Sequence, residues 1–284
     1  MIEPRLADAR LVADIEGAPH TPAQFHLWWL GQSGFLLHWN GSRLLFDPYL
    51  SDSLTAKYAA TSKPHVRISR RTIDPAMLHG IGVITSTHQH TDHLDRETLV
   101  PLLEANPEAV LIAPRGSRTV AASRIAPHES QLRPIDAGES VRIGPWLISA
   151  LPAAHEQIEH DAEGFHCFLG YIVRFGEFAV YHAGDTLRYD GQAERLRAER
   201  VDVALLPING RSPSRGVAGN MTGEEAARLA HEGAVGIAVP CHFDLFAFNT
   251  ASPDGFARTA ASLGQRARVL ELGERLDWPL PTRS

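Results

Sequence analysis

The sequence predicts an α/β fold in which β-sheets form the interior and helices cover the outside. Short apolar runs typical of buried strands alternate with helical segments along most of the 284 residues, 44% of which are hydrophobic. No repeat, low-complexity tract or long linker divides this pattern. We therefore expect one domain over residues 25–284. Residues 1–24 are polar and interrupted by proline, which predicts a loose N-terminal arm.

The elements follow in order from the apolar pattern. Three strands at residues 25–30, 35–39 and 43–47 are expected to form an antiparallel meander. Asn40-Gly41 between the last two is a strong signal for a type I′ hairpin turn. Further strands are predicted at residues 81–86, 109–113, 146–151, 168–175, 178–182, 201–207 and 235–240. Helices are predicted at residues 95–105, 115–124, 192–199, 222–232 and 253–264.

Two of these helices carry a start signal. Asp95 is expected to cap the first helix. Thr222 and Glu225 have the spacing of a capping box, in which each side chain accepts a hydrogen bond from the backbone of the other residue.

Composition excludes several classes of protein. The formal net charge of −6 gives no overall attraction for nucleic acid, and no apolar stretch is long enough to cross a bilayer. The N-terminus lacks the apolar core of a signal peptide, and the two cysteines, Cys167 and Cys241, do not form a disulfide framework. We expect a cytoplasmic protein that acts on a small molecule, with neither nucleic acid nor a membrane as partner.

The segment THQHTDHLD, residues 87–95, has the composition of a metal site. It follows a predicted strand directly, and loops at strand ends are where folds place functional groups. In an extended turn His88 and His90 point the same way and can bind one ion, while Asp92 and His93 can face a second. The alternative is a solvated polar loop, the usual explanation of an isolated His-x-His pair.

Three more potential ligands follow other predicted strands. They are His155, Asp185 and His242, each just past the end of an apolar run. If these strands are neighbours, their carboxyl ends lie at one edge and the side chains converge. Repetition at four strand ends favours a metal site over the polar-loop alternative.

The motif HQHTDH at residues 88–93, with His155, Asp185 and His242 in order behind it, resembles the metallo-β-lactamase superfamily. The resemblance covers roughly residues 25–272. It implies a four-layer αββα sandwich of two mixed β-sheets flanked by helices, with a two-metal site at one edge. It also implies that His88, His90 and His155 hold the first metal, that Asp92, His93 and His242 hold the second, and that Asp185 bridges them.

The resemblance also implies a reaction. Two divalent ions about 3.5–4 Å apart lower the pKa of a bridging water to about 7, which supplies hydroxide as a nucleophile. Asp92 and Asp185 are the expected catalytic carboxylates, with Asp92 orienting the hydroxide and relaying its proton. A mixture of imidazole and carboxylate suits Mn²⁺, Zn²⁺ or Fe, so the sequence leaves the metal open.

Other polar residues near these strand ends are candidates for supporting roles. Asp47 is expected to accept a hydrogen bond from a ligand histidine, although Asp-Pro can simply begin a turn. His182 could contact substrate, support the Asp185 loop or be a buried structural histidine. Gln32 and Asp244 are candidates for the pocket rim or for contact with the ligands, and the alternative is that they only form turns. Cys241 should face away from the metal if its neighbour His242 faces it.

The loop at residues 207–223 predicts an anion site. It carries Arg211, Ser212, Ser214 and Arg215 and leads into a predicted helix N-terminus, a combination that suits a phosphate or carboxylate. The alternative is a solvated loop with surface arginines.

Three stretches resemble the branch of the superfamily that includes L-ascorbate-6-phosphate lactonase: YHAGDTLRYDG at 181–191, GNMTGEEAARLA at 219–230 and VPCHFDLFAFN at 239–249. This implies a metal-dependent hydrolase that opens a lactone or related ester of a small anionic substrate, and it raises a homo-oligomer as an option for the assembly. The alternatives are a phosphodiesterase acting on a nucleotide or phospholipid head group, and a non-catalytic metal-bound scaffold.

Overall fold

A computed structural model describes residues 1–212, 215–216 and 219–280. In this part of the chain the first sheet has seven strands: β1 Phe25–Gly31, β2 Gly34–Trp39, β3 Ser42–Phe46, β4 Ile81–Thr85, β5 Val110–Pro114, β6 Leu132–Ile135 and β15 Arg275–Trp278. Their order across the sheet is β15-β1-β2-β3-β4-β5-β6. The meander β1-β2-β3 is antiparallel, as predicted, and β3 to β6 are parallel.

The second sheet has six strands in the same part of the chain: β7 Ser140–Ile143, β8 Trp146–Pro152, β11 Leu169–Phe175, β12 Phe178–His182, β13 Val203–Pro207 and β14 Ile237–Cys241. Their order is β14-β13-β12-β11-β8-β7, with β12, β13 and β14 parallel. A small ladder pairs β9 Ala154–His155 with β10 Gln157–Ile158.

Helices cover the outer faces of both sheets, except for a short helix at residues 53–58 that packs against Tyr49, Leu245 and Phe246. The helices are α1 Asp8–Glu16, α2 Ser53–Tyr58, α3 Arg96–Ala105, α4 Arg118–Ile125, α5 Gln192–Ala198, α6 Gly223–Glu232 and α7 Asp254–Ser262. Helices α1, α3 and α4 share an apolar cluster with the first sheet, and α5, α6 and α7 pack on the second. The protein is therefore the four-layer αββα sandwich that the resemblance implies.

Strand β1 shows how the sequence builds these layers. Side chains alternate between the two faces of a strand. Phe25, Leu27 and Trp29 belong to the core between the two sheets, whereas Trp28 and Leu30 belong to the cluster under the outer helices. A strand buried on both faces has a nearly continuous apolar sequence, and in β1 only the buried His26 interrupts it.

Of the predicted turn and the two predicted helix caps, the structure confirms the turn and one cap. Asn40 and Gly41 both have positive φ values, 46° and 83°, as a type I′ turn requires. The Thr222–Glu225 capping box is present at the start of α6. Asp95 holds the N-cap position of α3, but its carboxylate accepts hydrogen bonds from hydroxyl groups of Ser51, Ser53 and Thr98 instead of capping the helix backbone.

The prediction of a loose arm over residues 1–24 is wrong for its central part. Helix α1 lies there, and Leu11 and Ile15, one turn apart, are buried against the first sheet. This packing stabilises a short helix that lacks a side-chain cap. The sequence pattern also does not predict the short strands β6, β7 and β15, because they lack long apolar runs.

In the described ranges, none of the helices has the length and apolarity that a membrane-spanning segment needs.

Candidate metal centre

The ends of four strands meet at one edge of the two sheets. The loop after β4 carries His88, His90, Asp92 and His93, and β9, directly after β8, carries His155. Asp185 and His242 follow the ends of β12 and β14. Together these residues form three groups that could hold a metal ion, and within each group the ligand atoms all lie within 4.8 Å of one another.

Asp185 lies between the two outer groups. One of these consists of His88, His90 and His155, and the other of Asp92, His93 and His242. The Asp185 Oδ2 atom is 3.9 Å from Nε2 of His155 and 3.2 Å from Nε2 of His242, and its Oδ1 atom is 3.4 Å from Nε2 of His93. One carboxylate therefore reaches both groups, which is the position that a bridging ligand needs.

Several buried ligand atoms at the centre of this cluster have no hydrogen-bond partner among the described residues, and a metal ion would satisfy them. In the described part of the chain, Nε2 of His88, Nε2 of His93 and Oδ1 of Asp185 are buried and have no hydrogen-bond partner. Unpaired buried polar atoms are costly, and a divalent ion satisfies imidazole nitrogen and carboxylate oxygen together. The residues present therefore fit a metal site.

Hydrogen bonds on the far side of the rings set the direction of the lone pairs. The Nδ1 atom of His93 is 2.6 Å from Asp47 Oδ2, and that of His155 is 3.1 Å from the Gly219 carbonyl oxygen. Thr87 Oγ1 donates to Asp47 and lies 3.1 Å from Nδ1 of His88. Because these partners accept the Nδ1 protons, each Nε2 keeps its lone pair for the centre. Asp47 thus lies where the sequence placed it, behind a ligand histidine.

The electrostatics of the site favour a cation. Burial alone would raise the pKa of Asp185, but His242 and His93 outweigh burial and hold that pKa well below its usual value. Burial lowers the pKa of His88 well below its usual value. For His93, burial is outweighed by Asp185 and Asp92, which raise its pKa. The carboxylates therefore favour a positive charge at this point, which a proton or a metal ion can supply.

Comparison with known proteins agrees with this geometry. A family model described as "Beta-lactamase superfamily domain" matches residues 42–243. The chain belongs to this superfamily. A superfamily relative of similar sequence is a UPF0173 metal-dependent hydrolase of Sulfolobus acidocaldarius, which is 25% identical over 251 residues. That match covers 88% of this chain and 98% of the relative.

Solved structures show the same superfamily fold. Igni18, a metallo hydrolase from Ignicoccus hospitalis, has a TM-score of 0.67 at 22% identity, covering 91% of this chain and all of that one. CmlA, a diiron β-hydroxylase from Streptomyces venezuelae, has a TM-score of 0.68 at 17% identity, covering 92% of this chain and 55% of that one. At such identities the likeness shows the fold alone, and this fold is shared by different chemistries.

A cavity of about 520 Å³ opens over the metal ligands. One wall is aromatic. The His65 ring stacks on Tyr58, with ring centroids 4.2 Å apart, and packs edge-on against Phe246 and Phe248. Burial lowers the pKa of His65, which favours a neutral ring. The wall therefore suits the apolar part of a small substrate.

Two cations, Lys57 and Arg124, also line this cavity. Neither forms a carboxylate ion pair with any residue that the structure describes, although one guanidinium nitrogen of Arg124 donates to the carbonyl oxygens of Gln89 and Leu94. Sequence reasoning missed all of these wall residues, because they lie on a short helix, on loops and on an outer helix. The concentration of aromatic residues in FAF, 246–248, is the signal that could have indicated them.

Arg211 and Arg215, on the loop for which the sequence predicts an anion site, do not line the metal cavity. Both line a separate depression, beside the N-terminus of α6. The Arg211 guanidinium makes two hydrogen bonds of 2.7 Å to Glu225, and Arg215 donates to the carbonyl oxygens of Asn209 and Thr250. Their donors are engaged in holding the loop to the fold. Ser214 lies outside the described residues.

The Arg211–Glu225 pair leads to a pH-dependent prediction. Hydrogen bonding to Arg211 lowers the pKa of Glu225 from 4.5 to about 2. A lowered folded-state pKa stabilises the protein above pH 4.5, and this contribution is lost as the pH falls from 4.5 towards 2. We expect Glu225→Gln to cost about 1 kcal/mol at pH 7, since both side chains are partly exposed and solvent screens them.

Urea unfolding at pH 7, 5 and 3.5 measures this effect. Glutamine can preserve the capping hydrogen bond through its one carbonyl oxygen, whereas it removes the charge and one of the two hydrogen bonds from Arg211. The difference in unfolding free energy from wild type should shrink at the lowest pH, and Arg211→Gln should reproduce the loss. A difference independent of pH would contradict the prediction.

Three other residues lie away from the cavity. His182 is buried between the sheets, with its Nε2 2.9 Å from the Ser33 carbonyl oxygen and its ring stacked on Phe46, so the structural-histidine alternative describes it. Asp244 lines a different cavity beside Phe243, which corrects its placement at the metal pocket. Cys241 is a buried core residue, as predicted. Gln32 does reach the metal ligands.

Proposed function

We propose that this protein is a dinuclear metal-dependent hydrolase that opens a lactone or related ester of a small anionic substrate. The observation that carries the proposal is the position of Asp185, between two ligand groups at the floor of the cavity. Relatives of similar sequence carry the name metal-dependent hydrolase, which supports the reaction class. When bound, two divalent ions, of Mn²⁺, Zn²⁺ or Fe, would lower the pKa of water and polarise a carbonyl oxygen.

The side chains around the metal site would transfer the proton and hold the reacting groups in place. Asp92 is the more exposed of the two carboxylates among the metal ligands that line the cavity, with 16% of its side chain exposed against 5% for Asp185. Asp92 is therefore the group positioned to take up a proton and pass it to the departing alkoxide. Asp185 and the five histidines hold the reacting centre, and Asp47 fixes the orientation of His93.

The walls of the cavity suit an anionic substrate with an apolar part. Lys57 and Arg124 supply the positive charge that the Arg211 loop does not, and the wall of Tyr58, Phe246 and Phe248 suits packing against a ring or an acyl group. The two cations also favour the second candidate, a phosphodiesterase that uses the same groups on phosphorus.

A substrate comparison tests the proposal. Metal-loaded protein is assayed by pH-stat with neutral, carboxylated and phosphorylated lactones, and by absorbance with bis-p-nitrophenyl phosphate. Faster opening of the anionic lactones than of the neutral ones, with little phosphodiester turnover, is the expected result. Phosphodiester turnover without lactone opening would replace the proposal with the second candidate. Metal binding without either activity would favour the scaffold alternative.

A further inference from the structure

The side chain of Gln32 lies among the ligands of one group. Gln32 is in the two-residue turn between β1 and β2, and its side chain is buried, with 1% exposure. Its Nε2 atom is 2.8 Å from Asp92 Oδ2 and 3.2 Å from His242 Nε2. The same Nε2 atom of His242 lies 3.6 Å from Asp92 Oδ2 and 3.2 Å from Asp185 Oδ2, so the Gln32 amide lies where these side chains converge.

The backbone holds Gln32 in this place. Its carbonyl oxygen accepts hydrogen bonds from the His242 backbone N–H at 2.9 Å and from the indole N–H of Trp29 at 3.0 Å. Its φ is +51°, a value that a residue with a side chain seldom adopts. The turn is therefore tied to the His242 loop and presents the amide to the ligand group.

The other end of the amide has no partner. Among the described residues, Oε1 of Gln32 is buried and accepts no hydrogen bond. A buried carbonyl oxygen without a donor costs about 1–3 kcal/mol. A half-turn about the Cγ–Cδ bond exchanges the positions of the oxygen and the nitrogen, so the same side chain can present either atom to Asp92 and His242.

The charge between Asp92 and His242 decides whether the oxygen or the nitrogen of the Gln32 amide faces these two side chains. With the NH₂ group facing the carboxylate of Asp92 and a nitrogen of His242, the amide supplies partial positive charge where a metal ion would supply more. Once a cation lies between these ligands, the N–H dipole opposes it and the carbonyl dipole is attracted to it. The half-turn would then provide one more oxygen ligand.

We propose that Gln32 is a ligand of the second metal site and binds the ion through Oε1. The second site would then contain Gln32 Oε1 together with Asp92, His93, His242 and Asp185, whereas the first contains three histidines and Asp185. A site richer in oxygen favours a harder ion, so the second site should bind Mn²⁺ better relative to Zn²⁺ than the first does. This inference rests on the two-metal centre of the proposed function, but not on any hydrolytic activity.

Metal titration of the full-length, metal-free protein tests the proposal. Calorimetry with Mn²⁺ and with Zn²⁺ should show two binding events for wild type. Gln32→Met, which keeps the length of the side chain but removes the oxygen, should weaken the second event by about 10–100-fold and leave the first unchanged. Gln32→Glu, which keeps the oxygen and adds charge, should strengthen the second event.

Gln192→Met is the matched control. Gln192 is also buried, its amide bonds only to Tyr181 among the described residues, and it lies outside the metal groups. This variant loses a comparable buried amide and should bind both ions as wild type does. Equal weakening in Gln192→Met and Gln32→Met would show a general effect on the fold and would overturn the proposal.

The glutamate variant separates a ligand from a hydrogen-bond donor. If Gln32 only donates to Asp92, Gln32→Glu places two carboxylates together without a ligating role and should weaken the second event as Gln32→Met does. That result, or wild-type affinity in Gln32→Met, would overturn the proposal. Binding of a single ion by wild type would overturn both this proposal and the two-metal centre, whereas two ions without hydrolysis would overturn only the hydrolase function.

Discussion

Asp185→Asn is expected to abolish hydrolysis while the protein remains folded. Asparagine keeps the shape of the side chain but replaces an ionised carboxylate by a neutral amide that offers only one oxygen. The two Asp185 oxygens lie between His93, His155 and His242, so the substitution removes the link between both ligand groups. Since bound metal ions contribute several kcal/mol to transition-state stabilisation, we expect a loss of about 10³-fold or more in kcat/KM.

Asp190→Asn is the control for Asp185→Asn, because Asp190 lies on the same loop but is exposed. Circular dichroism should show the same fold for both variants, and a metal assay of the dialysed proteins should show a reduced metal content only for Asp185→Asn. Wild-type turnover by Asp185→Asn would exclude Asp185 as a bridging ligand.

Gly184→Ala is expected to cause a large loss of stability. Gly184 precedes Asp185 and has a φ of +62°, which costs an alanine about 1–2 kcal/mol. A Cβ atom there would also lie 2.7 Å from Thr87 Cβ and 2.8 Å from the Leu169 carbonyl oxygen. Overpacking typically adds about 1–3 kcal/mol, so we expect a total loss of about 2–5 kcal/mol in the free energy of unfolding.

Gly264→Ala separates the cost of the positive φ from the cost of overpacking. Gly264 has a similar φ of +68°, but no heavy atom of the described residues lies within 4 Å of the position that an alanine Cβ would take there. Urea unfolding of the metal-free variants should therefore show a small loss for Gly264→Ala and a larger one for Gly184→Ala. Equal losses would mean that the contact with Thr87 does not limit this position.

The order of elements and the ligand set follow from local information. Apolar runs set the strands, because a strand buried on both faces is apolar along nearly its whole length, and β13 and β14 show this pattern. The polar residues just after four apolar strands are recognisable because they contrast with the apolar runs before them. The Thr222–Glu225 box and the Asn40-Gly41 turn depend on neighbours in sequence, so they too are predictable.

Residues that act through distant partners are harder to predict. Helix α1 depends on a sheet surface for its stability, so its sequence resembles a loose arm. Arg211 looks available for an anion until the fold places Glu225 against it. Lys57 and His65 enter the cavity from segments that carry no motif.

The sequence by itself determined the fold class and the residues that converge at the strand ends, because hydrophobic period and strand polarity are local properties. Only the tertiary structure decided which polar groups face the centre. It selected His93 as the histidine that Asp47 supports, and it placed Gln32 beside Asp92 and His242 and the Arg211 loop in another depression. The physical reason is that a hydrogen bond or an ion pair depends on the distance between groups far apart in the chain, and packing alone sets that distance.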